Sequence, residues 1–519
     1  MLLGKVKEAI KLINADSETT GVHEITDSVR LSLEEKHPSP EDADSTVIKS
    51  GEEKKVECVI FEEINQELVQ KAAQETYGSG GPPWVNAEIW KTMVCSRRYG
   101  KCTDELAEEI AIMGRRICTE KLSHETLLTH LSNRLIPLIK EDNGIRPIGI
   151  GEVLRRIIGK YVNFILKADI QEACGTLQTC AGTKSGIEAA IHAMKNTFQE
   201  DWCRIIMLVD ADNAFNRLNR NVALQNIKKI CPSLYGYLDN SYRNPGRLYL
   251  SDGTFILSQE GATQGDNLAM QMYGLATRGL IDSLETETKE EDLVQVWYAD
   301  DSNSAGTIEG VKKWWDHLKE EGPKYGYYPK PSKTYIVVKD LDDLAEVQNV
   351  FGSEGIKVTT EGHRHLGAAI GSEQFKASFV SEKVKNWVKD IEDLAIIAED
   401  EPQAALCAFN TAIIHRWTYH FQPIENAIRH RLIPALVGRE ISDMEREIFA
   451  LPYRHGGMGI QNPVYTSNRE YNASVEITKD LTNLIIAQDM DITKIDEKKM
   501  NDKKKKLRAE KELELKKKS

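Results

Sequence analysis

Three aspartates carry the strongest chemical signal in this chain of 519 residues. Asp210 closes the run C-R-I-I-M-L-V-D, whose β-branched and aliphatic residues predict a buried strand with a carboxylate at its C-terminal end. Asp300 and Asp301 lie within V-Q-V-W-Y-A-D-D-S-N-S-A-G (Val294 to Gly306), read as a tight hairpin with both carboxylates at its tip. Neighbouring carboxylates repel. Divalent cations offset that cost, since Mg²⁺ takes carboxylate oxygens together with substrate phosphates rather than an all-protein cage. Taken singly, each segment is equally satisfied by a plain turn: A-D-N-A-F-N after the strand, or a solvated Asp-Asp pair.

Between these carboxylates the pattern continues. Arg247 to Ser258 gives a hairpin signal around Asp252-Gly253, and Gly261-Ala262-Thr263-Gln264-Gly265-Asp266-Asn267 opens a helical run from Leu268 to Leu284. Glycines before a helix let backbone approach a ligand closely. Asp266 as an ordinary helix N-cap explains the same residues.

The order strand-Asp, Gln-Gly-Asp before a helix, then Tyr-Ala-Asp-Asp on a hairpin resembles the palm of reverse transcriptases. Asp210 to Asn216 is similar to the family's first palm motif, Gly261 to Asn267 to its second, and Tyr298-Ala299-Asp300-Asp301 to its catalytic tetrad. Upstream, Leu135 to Lys140 and Arg146-Pro147-Ile148-Gly149 resemble the finger segments that hold the incoming triphosphate. Downstream, Gly322 to Pro329 with Ser332-Lys333-Thr334 resembles the next palm motif, and His365-Leu366-Gly367 the primer-grip turn. Pro402 to Ala405 and Leu451 to Ile460 resemble thumb and post-thumb segments of the non-LTR retroelement type. The resemblance covers Gly80 to Pro463.

What the resemblance implies is an α+β right-hand polymerase with fingers, a palm built on an antiparallel sheet with flanking helices, and a helical thumb. Its chemistry is primer extension with dNTPs on an RNA template, from a DNA primer or RNA/DNA hybrid, through two Mg²⁺ (or Mn²⁺) ions. Asp210, Asp300 and Asp301 are the implied catalytic carboxylates, and the Ala211 carbonyl an implied further metal ligand. Lys140, Arg146, Phe215, Gln264, Gly265 and Lys333 are the implied nucleotide-binding residues, and Tyr298, Leu366 and Gly367 face primer or template. Phe215 matches the aromatic beneath the sugar, and Ala299 stands where RNA-copying RNA polymerases usually have Gly, so DNA is the implied product. A scaffold that lost activity and an RNA-directed RNA polymerase are the alternatives. The intact carboxylate triad argues against the first.

The remaining chain must position these residues. Residues 1–75 read as a flexible acidic N-terminal segment, 76–200 as fingers and helical region, 201–372 as palm, 373–470 as thumb and post-thumb, and 471–519 as a charged tail. Residues 497–519 hold 11 Lys/Arg against 5 Asp/Glu, which reads as a frayed or disordered helix. Nine cysteines without a C-x-x-C pair indicate neither a disulfide framework nor a cysteine zinc site. No apolar stretch approaches the roughly 20 residues of a membrane span, and Lys5 interrupts any signal-peptide core, so an intracellular protein with no membrane partner is expected. The net charge of -13 argues mildly against nucleic acid. Local basic clusters at Arg97-Arg98, Arg115-Arg116, Arg155 to Lys160 and Lys503 to Lys506 run against it.

Overall fold

The computed structural model describes residues 21–51, 56, 58–140, 144–414 and 422–518. The apolar pattern expected over Met1 to Ile13 lies outside them. The described residues divide into two compact units, one within residues 21–360 with 481–493, the other within residues 361–480 and 494–518. That division falls at residue 360, ahead of the palm boundary expected at 372, because the hairpin at 362–371 keeps its contacts with the helices that follow it.

The fold is mixed α+β. In the first unit β1 (Asn133–Ile139) and β2 (Ile145–Gly151) pair antiparallel, and with β4 (Gly246–Tyr249) and β5 (Phe255–Ser258) form a sheet ordered β2-β1-β4-β5. A second sheet, ordered β6-β7-β3-β8-β9, combines β3 (Ile205–Val209), β6 (Leu293–Tyr298), β7 (Asp301–Gly306), β8 (Tyr335–Val338) and β9 (Lys357–Thr359). Every residue of β3 is buried, as expected for a central strand covered on both faces. Helices Ala269–Glu287 and Ile308–Glu321 supply Leu280, Leu284, Trp314 and Leu318 to the buried interior. Trp297 of β6 and Trp314 both donate their indole N–H to the buried side-chain amide oxygen of Gln295, at 3.0 and 3.1 Å.

Residues 21–51 differ from the linker that their composition led us to expect. Residues 21–23 pair with the edge of β1, His23 N donating to Pro137 O at 2.9 Å. Helix Asp27–Glu35, capped by Thr26, then buries Leu33 against Leu135, Ile145, Leu248 and Ile256. Beyond it the chain lies along helix Arg220–Ile230 as a strap held by asparagines. Asn213 donates to Lys36 O (2.8 Å), Asn219 to Asp42 O (3.2 Å), Asn221 to Glu41 O (3.2 Å) and Asn226 to Val47 O (3.1 Å). Few apolar residues suffice here because side-chain amides satisfy the strap's carbonyls.

In the second unit β10 (Gly362–His365) and β11 (Ala368–Gly371) form a hairpin, followed by helix Glu373–Asp400 and a series of shorter helices. Its core gathers Ile391, Leu394, Phe409, Ile424, Ile428, Leu432 and Ile460. Within it the buried Arg446 meets both carboxylate oxygens of Glu425 at 2.7 Å and donates to Ile460 O. The charged tail, expected frayed, is helix Glu497–Lys518, with Lys503 beside Glu476 (3.2 Å) and Lys511 beside Glu470 (3.2 Å). Among the described residues no helix is long and apolar enough to cross a membrane.

Candidate active site

Register brings the three aspartates together. Val209 faces Ser302 across β3 and β7, and Tyr298 faces Asp301 across β6 and β7, so Asp210 leaves β3 beside the tip that carries Asp300 and Asp301. The tip is a two-residue turn, Ala299-Asp300, with Ala299 at φ 55°. That left-handed conformation costs a non-glycine residue on the order of 1–3 kcal/mol.

Buried side chains from other segments hold the turn in place. Gln178 accepts from Ala299 N (2.9 Å) and donates to Ala299 O (3.2 Å), its other amide hydrogen going to Thr277 (3.1 Å). Tyr327 donates its phenol hydrogen to Asp300 O at 2.9 Å and receives the Ser302 hydroxyl at 2.7 Å. Leu177 and Thr179 complete the support by bonding both backbone groups of Trp297. A turn with three of its peptide groups held in this way cannot relax without breaking buried hydrogen bonds.

Charge at this tip is contested. Burial raises the Asp300 pKa above the ordinary carboxylate value, and the Asp210 charge raises it further, while Arg146 and Lys140 pull it down. Lys140 follows β1, its N–H closing on Gly144 O at 2.8 Å, and Arg146 sits in β2 opposite Leu138. The β1–β2 hairpin thereby brings both expected phosphate-binding cations within electrostatic reach of Asp300. Lys333 lies 3.6 Å from Asp210, both side chains about half exposed.

Ala211 bridges to Pro329, flanked by the bonds Lys330 N to Asp210 O (2.9 Å) and Asp212 N to Tyr328 O (2.8 Å). Backbone groups alternate sides along an extended strand, so the Ala211 carbonyl turns to the β7 side, toward the aspartates. Phe215 stacks on Tyr273, ring centroids 4.6 Å apart, and the buried Tyr273 phenol feels the charges of Asp300 and Asp301. Gln264 O accepts from Gly149 N at 2.7 Å, three residues from Arg146. Gly265, at φ 109°, has no room for a side chain, since a Cβ there would meet Gly149 O at 2.3 Å.

Asp266 is structural. It accepts from Leu268 N (2.9 Å) in the turn ahead of helix Ala269–Glu287, accepts from Tyr242 (2.9 Å) and pairs with the buried Arg155. Tyr298 is half-buried at the end of β6, and burial raises its pKa. Leu366 and Gly367, at φ 46° and 89°, form a type I′-like turn between β10 and β11 in the other unit. Among the described residues no three His, Cys, Asp or Glu side chains form a closed ligand cluster. The donors at the tip are oxygens, of the kind hard cations take alongside substrate phosphates.

No protein-family model matches this chain, and no curated protein does.

Gln178, the residue that reads out the turn, was not expected from sequence. Its partner is 121 residues away, and the only signal pointing to it was indirect: a non-glycine residue in a two-residue hairpin needs something to hold it.

Proposed function

We propose that the chain is an RNA-directed DNA polymerase extending a primer 3′-OH with dNTPs, of the reverse transcriptase type and derived from a retroelement. In this reading the sheet β6-β7-β3-β8-β9 is the palm, β1 and β2 belong to the fingers, and the helices after β11 form the thumb. The observation that carries it is the juxtaposition of Asp210, Asp300 and Asp301 at the strand ends with Lys140 and Arg146 in electrostatic reach. The three carboxylates and the Ala211 carbonyl would hold two Mg²⁺ (or Mn²⁺) ions, which would supply activation of the attacking oxygen and stabilisation of the leaving one.

The protein's own groups do the rest. Arg146 suits bidentate contact with the nucleotide's phosphates and Lys140 adds a point charge. Gln264 and Gly265, fastened to β2 at Gly149, are the further groups assigned to the nucleotide. Phe215, backed by Tyr273, lies where a ribose 2′-hydroxyl would be crowded. Lys333 carries a proton beside Asp210 that the leaving pyrophosphate can take. Tyr298, Leu366 and Gly367 are the groups assigned to primer and template.

The test is extension of a DNA primer on an RNA template with Mg²⁺ or Mn²⁺. Asp300→Asn, which removes a metal ligand worth several kcal/mol to the transition state, lowers extension by about a thousandfold while template binding is retained. Undiminished extension by this variant overturns the assignment.

A further inference from the structure

The fingers side of the first unit carries a second feature. Between helices Gln66–Gln74 and Ala87–Cys95 the chain reads Y-G-S-G-G-P-P-W, and both aromatics at its ends point to solvent, Tyr77 69% and Trp84 66% exposed. Leaving two large rings in water forgoes burial worth about 1.5–3 kcal/mol for each large side chain. Trp84 adds backbone strain at φ 63°, an outlier for so bulky a residue.

The loop is fastened all the same. Trp84 N closes a turn on Gly81 O at 3.0 Å, Arg156 donates to Tyr77 O (2.9 Å) and Ser79 O (2.5 Å), and Arg134 reaches Ser79 Oγ (3.2 Å) and Gly80 O (3.3 Å). Each exposed ring carries a cation. The Arg134 guanidinium lies 3.6 Å from the Trp84 ring centroid and Lys91 Nζ 3.8 Å from that of Tyr77. Glu88, at 3.0 Å from Lys91, Glu75, at 4.0 Å from Lys160, and Glu152, whose charge acts on Arg156, temper the positive charge around the loop.

A rigid loop presenting two aromatic faces, each backed by a cation, matches how bases of an extended single strand are gripped: they stack on the rings while phosphates meet the charges. We propose that Tyr77, Trp84, Arg134 and Lys91 form a binding platform for single-stranded nucleic acid, separate from the polymerisation site. Arg134 stands six residues before Lys140 on β1, about 20 Å along an extended chain, and none of the four platform residues belongs to the hairpin tip that carries Asp300 and Asp301. The proposal does not require catalysis. It locates attraction for a polyanion on a chain of net charge -13.

The test uses full-length protein without nucleotide, saturated with an unlabelled hairpin primer-template, and a labelled single-stranded oligothymidylate or oligouridylate read by anisotropy. Trp84→Ala and Tyr77→Ala each raise Kd about fivefold or more, and Trp84→Phe, which keeps a ring, restores most of the affinity. Asp300→Asn leaves this Kd unchanged, which separates failure here from failure of the polymerase reading. Photocrosslinking with 5-iodouridine oligonucleotides places adducts on Trp84 or Tyr77. Unchanged Kd in both alanine variants, equal loss in Trp84→Phe and Trp84→Ala, adducts only elsewhere, or binding of a proline-rich peptide in place of the oligonucleotide each overturn the proposal.

Discussion

Asp300 bears a charge that its surroundings resist. Its folded pKa is raised, so the stability it contributes is full below the unfolded pKa and is lost as pH rises through the folded one. In EDTA at neutral pH, Asp300→Asn is therefore expected to melt above the wild type, and the gap should close as pH falls into the carboxylate range. Saturating Mg²⁺ is expected to reverse the order, since a ligand at a hundredfold its Kd adds about 2.7 kcal/mol to the form that binds it. Equal Mg²⁺ shifts for both proteins, by scanning calorimetry, would remove the metal from this site. Phe215 is tested by Phe215→Val, which clears space over Tyr273. The ratio of ribonucleotide to deoxynucleotide incorporation should rise about tenfold or more, whereas an unchanged ratio leaves Phe215 as packing alone.

The hairpin carrying Asp300 shows which elements were legible in the sequence. Strand β3, the hairpin β6–β7 and helix Ala269–Glu287 announce themselves because their signals are local: a β-branched run, alternation around a turn, glycines before an apolar helix. The turn's support was not legible, because Gln178 and Tyr327 act across the fold. Gln178→Ala strands the N–H and C=O of Ala299, each worth about 1–3 kcal/mol when buried without a partner. Chemical denaturation should show that loss, and extension should fall through kcat with little change in KM. Helix Asp27–Glu35 was missed for a different reason. Its one fully buried apolar residue, Leu33, is too sparse a pattern to stand out from an acidic stretch. Leu33→Ala should cost about 2–5 kcal/mol, and a negligible loss would restore the linker reading.

At the scale of the whole molecule, the first unit is not continuous in sequence. Residues 481–493 return to it between two segments of the second unit, with Gln488 donating to Gln295 O (3.0 Å) and Thr176 to Asp489 O (2.5 Å). Thr176 precedes the Leu177–Thr179 stretch that supports the Asp300 hairpin. A chain ending at Asp480 is therefore expected to melt lower and to extend primers more slowly than the full chain. Equal melting and equal rates would make residues 481–493 dispensable to the site.

The asparagine strap also sets a timetable for synthesis. Its carbonyls at Lys36, Asp42 and Val47 wait for partners 177 to 179 residues later in the chain. At a ribosomal pace of about 5–20 residues per second the strap stays unpaired for roughly 9–36 s, open to chaperones and proteases. Nascent chains stalled before Asn226 should be cut within residues 36–51, and chains stalled well beyond Glu260 should resist cleavage there.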